Sequence, residues 1–76
     1  SSLASRHHTN WRLKAIEKMA VNAESDFFFT APFSISESDF GAIRKELVQL
    51  IDGIAKRVQK TEPEKMATIN VDLFEV

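Results

Sequence analysis

DFFFTAPFSI, residues 26–35, decides how this 76-residue chain is read. Phe27, Phe29, Ala31, Phe33 and Ile35 alternate with Asp26, Thr30 and Ser34, the period-2 pattern of a half-covered strand. Phe28 breaks the alternation. Pro32 cannot donate to a ladder, which predicts an edge strand, or one bulged at that point. A strand over about 26–35 therefore needs a helix and further strands to cover its apolar face.

Working outward, residues 36–60 supply the helix. Ser36 is placed to cap it, Asp39 follows three residues on as in a capping box, and Ile35 with Phe40 fit a hydrophobic staple. Glu37 and Asp39 suit the positive end of the helix dipole, and Lys56, Arg57 and Lys60 its negative end. Phe40, Ile43, Leu47, Leu50, Ile51, Ile54 and Val58 recur at spacings of three and four, so a helix is predicted over about 37–60, stopped by Pro63. Gly53 lies inside it at a cost of about 1 kcal/mol relative to alanine. Two readings stand side by side: tolerated exposure, or close approach of another helix or a symmetry mate.

The last residues, ATINVDLFEV (67–76), alternate again. Ala67, Ile69, Val71 and Leu73 fall on one side, Thr68, Asn70 and Asp72 on the other, with Phe74 joining the polar side. A second strand is predicted over about 67–75. Upstream, Ser1–Val21 reads as a helix, firm over about 3–21, in which Trp11, Leu13, Ala15, Ile16, Met19 and Ala20 sweep more than half the circumference. Arg12 sits within that arc, where its stem would pack and its head reach outward. So wide an arc expects contact on more than one side.

The fold class expected is α+β, in the order α-β-α-β: one domain with a small sheet and a long amphipathic helix. Two strands joined through a helix are parallel with a right-handed crossover if they share a sheet. The helix would run about 36 Å, against about 27 Å for an eight-residue strand. Two strands rarely stand alone, so a homodimer is expected to complete the sheet. Trp11, Met19, Phe28, Gly53, Ile54 and Phe74 are the candidate interface residues.

Composition narrows the chemistry. Cysteine is absent, which excludes disulfides and thiolate metal sites, and the net charge is −1. Residues 1–20 nevertheless hold a net +3 and residues 21–76 a net −4. The phenylalanine strand lacks the interleaved Lys and Arg of a base-stacking platform, so its aromatics read as core. His7 and His8 are adjacent, not spaced as metal ligands on one helix face. With Gly41 and Gly53 the only glycines, no phosphate-cradling or dinucleotide loop is possible. Glu62 and Glu64 flank Pro63 as a solvated turn, and Asp52 with Lys56 is an i,i+4 scaffold pair. Asp26 and Asp72 have no pocket or partner acid to support general acid–base work. No catalytic residue, metal or cofactor is expected, no run is long enough to span a membrane, and the location expected is the cytoplasm.

The order of elements and several short motifs resemble a family of predicted bacterial winged-helix-type transcriptional regulators, in the uncharacterised C-terminal domain. The resemblance runs from Ser1-Ser2-Leu3, through His8 and Ala15 on the first helix, Ser34-Ile35-Ser36 and Glu37-Ser38-Asp39. It closes on Ile69-Asn70-Val71-Asp72-Leu73-Phe74. This chain departs from the family at Ser25-Asp26, where members often carry Arg-Asp, and at Glu75, where they often carry proline. The resemblance implies a dimerisation or effector-responsive domain of a longer protein, with DNA contacted only through a domain upstream of Ser1. The alternative is an interaction module that docks a non-identical partner through the first helix and the Gly53 face.

Overall fold

The computed structural model describes residues 2–76, so the first residue of the expected Ser1–Val21 helix lies outside them. Two helices form, α1 over Ser2–Val21 and α2 over Glu37–Lys60. The chain divides into two compact units. One holds α1, the residues that follow it through Ala31, and the segment Thr68–Asp72; the other holds Pro32–Ala67, which includes α2, and Leu73–Val76.

In the first unit, α1 ends on an asparagine. Asn22 takes the left-handed conformation at φ 55°, and its N–H donates to the Lys18 carbonyl at 3.1 Å. That bond closes the left-handed C-terminal motif in which Asn is the usual substitute for glycine. A turn follows, with Asp26 N–H on the Ala23 carbonyl at 3.1 Å. Within α1 the Thr9 hydroxyl donates to the Ser5 carbonyl at 2.9 Å, and Lys14 pairs with Glu17 at 3.2 Å. Trp11, Arg12 and Ala15 are half-buried, on an arc of about 100°. Leu13 and Ile16, on another side, are exposed.

The second unit is organised by α2. The Ser36 hydroxyl accepts from the Asp39 N–H at 3.1 Å, and the Phe40 N–H donates to the Ser36 carbonyl at 2.9 Å. Glu37 and Asp39 occupy the first turn, Arg57 and Lys60 the last. The helix closes with Thr61 N–H on the Val58 carbonyl at 3.4 Å. Phe40, Ile43, Leu47 and Ile54 are half-buried and lie within about 60° of helix circumference. Leu50 and Ile51 border that stripe and are exposed, while Leu73 of the same unit is half-buried.

The expected α+β fold does not form. Among the described residues neither 26–35 nor 67–75 is a strand, and the chain is all-α with two helices. The groups a ladder would use are engaged otherwise: the Val71 carbonyl accepts from the Arg12 guanidinium at 3.2 Å. Pro32 has no N–H to offer at all. Without a sheet there is no face for the alternating residues to cover. Phe27 and Phe29 are 87% and 78% exposed, which overturns their reading as core. In the C-terminal segment the alternation fails too: Ile69 is exposed while Asn70 is half-buried.

Candidate functional site

The most specific arrangement in the first unit joins α1 to the strap Thr68–Asp72. His8 and Arg12 stand one turn apart on α1, next to Trp11 and Ala15. The Arg12 Nε lies 2.9 Å from each carboxylate oxygen of Asp72, and Nη2 also donates to Oδ1. The two-point geometry is the strong form of an arginine–carboxylate pair. Nη2 reaches the Val71 carbonyl as well, and Nη1 donates to the His8 carbonyl at 3.1 Å. The Arg12 head is therefore not spent on water alone, as the sequence suggests, but holds the strap while staying partly solvated.

A second contact fixes the strap's register. The Asn70 Nδ2 donates to the Trp11 carbonyl at 3.3 Å. A carbonyl has two lone pairs, so one inside a helix can take a side-chain donor besides its helical partner. Asn70, Val71 and Asp72 thus each give one polar group to consecutive residues Trp11 and Arg12. The side chains of Arg12 and Asp72 keep 31% and 47% of their exposure, so water competes for the pair and its net strength is modest.

The candidate interface residues fall in both units. In the first, Trp11 is half-buried and touched by the strap. Met19 is half-exposed and Phe28 is 40% exposed. In the second, Ile54 is half-buried within its stripe and Phe74 is 71% exposed. A Cβ built at Gly53 meets nothing within 4 Å. Gly53 lies about 110° around α2 from the centre of the half-buried stripe, so nothing in its own unit presses on it.

The arrangement can bind and hold a segment through charge and hydrogen bonds. Among the described residues no group of three or more His, Cys, Asp and Glu could hold a metal ion. The His7 and His8 rings meet edge to face at 6.0 Å, and the His8 Nδ1 lies 3.5 Å from Arg12 Nη1. No described helix is long and apolar enough to cross a membrane. Sequence reasoning missed Arg12 with Asp72, and Asn70. The available signal was a cation inside an apolar arc and an acid near the far end, but many such pairs could be drawn.

A family model for a domain of unknown function, DUF4423, matches residues 1–76. The chain belongs to the DUF4423 family. No curated protein and no solved structure matches it.

Proposed function

We propose that this DUF4423 domain is a self-association module, the dimerisation or effector-responsive C-terminal domain of a bacterial transcriptional regulator in the cytoplasm. It performs no catalysis itself, and DNA is contacted through another part of the protein. One observation carries the self-association: among the described residues none is buried, while Phe27, Phe29, Leu50, Ile51 and Phe74 are exposed. Ordering a residue costs about 1–2 kcal/mol of backbone entropy, and apolar burial is the main term that offsets it. A chain that leaves this much apolar surface in water needs a second body. A copy of itself is the commonest second body for a soluble protein. The regulator assignment rests on the resemblance of the motifs from Ser1-Ser2-Leu3, through Ser34-Ile35-Ser36, to Leu73-Phe74.

Sedimentation equilibrium from low to high micromolar concentration tests the reading. The expected result is a dimer whose melting temperature rises with concentration, because association stabilises only the folded state. A monomer with a concentration-independent, cooperative melt would refute it.

A further inference from the structure

We propose that two copies of the chain pair through α2, antiparallel about a two-fold axis, with Glu46 of each copy against Arg57 of the other. The inference rests on the self-association reading and names the face that would carry it.

Three observations support it. The first is spacing. Ile43, Glu46, Leu50, Gly53, Arg57 and Lys60 follow one another at alternating intervals of three and four, which places them within about 100° of the circumference of α2. That is the repeat of a helix–helix seam. It shares Ile43 with the half-buried stripe, and its other members are exposed. The second observation is charge. Along this face Glu46 precedes the centre at Leu50 and Gly53, and Arg57 and Lys60 follow it. An in-register parallel copy would set like charge against like. An antiparallel copy sets Glu46 opposite Arg57 twice, once on each side of the axis, as a two-fold contact requires.

The third observation is shape. In the register that joins Glu46 to Arg57, Leu50 of each copy lies opposite Gly53 of the other, and Ile43 opposite Lys60. Leu50 is 57% exposed in its own chain, and a Cβ built at Gly53 meets nothing within 4 Å. A projecting side chain thus faces a position that has none. The Lys60 stem covers Ile43 while its ammonium stays in water. Within one helix Glu46 and Arg57 stand about 16 Å apart along the axis, too far to pair. Among the described residues neither takes part in an ion pair. A second copy fits this face better than a different protein does, because the face carries both halves of its own complement.

Charge reversal in the full chain tests this. Glu46→Arg sets cation against cation in its own dimer, and Arg57→Glu sets acid against acid. The double variant joins opposite charges again, and so does a mixed dimer of the two single variants. Association of each protein and of the equimolar mixture is read by sedimentation, and the mixed dimer by native mass spectrometry. The expected result is at least about tenfold weaker dimerisation of each single variant. The double variant and the mixture should both recover, the mixture as a one-to-one heterodimer. Because the double variant carries both changes, damage to the helix alone would not be undone in it. A dimeric wild type whose single variants associate equally well would overturn the α2 pairing and leave self-association standing. Weakened single variants with no recovery in the double variant or the mixture would do the same. A wild type that stays monomeric would remove the self-association reading and the α2 pairing together, and give the face to a different protein.

Discussion

Arg12 and Asp72, 60 positions apart in a 76-residue chain, form a two-point ion pair that holds the C-terminal strap on α1. Because both side chains are partly solvated, a double-mutant cycle of Arg12→Ala and Asp72→Ala should give a coupling of about 1 kcal/mol. Arg12→Lys should lose most of it, since an ammonium lacks the fork that spans both oxygens. Urea unfolding at low and high salt checks this. The coupling should shrink as salt rises, and a salt-independent value would place the pair in a drier setting than its exposure indicates.

Ser36 holds the first turn of α2 through its hydroxyl on the Asp39 N–H. Ser36→Ala should cost about 1 kcal/mol, and Ser36→Asp should restore most of it. Chemical denaturation of the three proteins measures the difference.

Gly53 has open space where a Cβ would stand. Gly53→Ala should therefore stabilise the chain by up to about 1 kcal/mol. A thermal melt decides between the two sequence readings of this residue. Stabilisation without change in association means tolerated exposure, and weaker association would mean that another body approaches Gly53 closely.

Leu47 and Ile54 are half-buried in the α2 stripe. Leu47→Asp or Ile54→Asp should cost more than about 2 kcal/mol by placing a charge there. The double change His7→Ala, His8→Ala should stay within about 0.5 kcal/mol, because Arg12 uses the backbone carbonyl of His8, which remains. Circular dichroism through a urea titration separates the two cases.

What could be read from the residues was local. The Ser36 cap, the acids of the first turn and the three-and-four spacing act within α2, and each depends on neighbours a few positions away. The left-handed Asn22 that ends α1 is local too, a polar residue at a position where bulkier ones are strained, but it was not singled out from the residues. The strands were not legible correctly, because alternation reports a preference that only a ladder partner can satisfy. Here the Val71 carbonyl goes to Arg12, Asn70 turns to the Trp11 carbonyl, and no partner strand arrives. The clasp itself was hidden for the opposite reason: its members are far apart, and nothing in one sequence pairs Arg12 with Asp72 over other opposite charges. Burial failed as an expectation along with the sheet, so Phe27 and Phe29 went from core to surface together.

The separation between Arg12 and Asp72 also sets an order of events. Closing a loop of 60 residues costs roughly 3–4 kcal/mol in chain entropy before any fixed term. A hydrogen-bonded charged contact returns about 1.5–3 kcal/mol, and less when half in water. The pair cannot nucleate folding by itself. Contacts closer in sequence, such as the helical turns of α1 itself, have to supply the free energy that this closure costs.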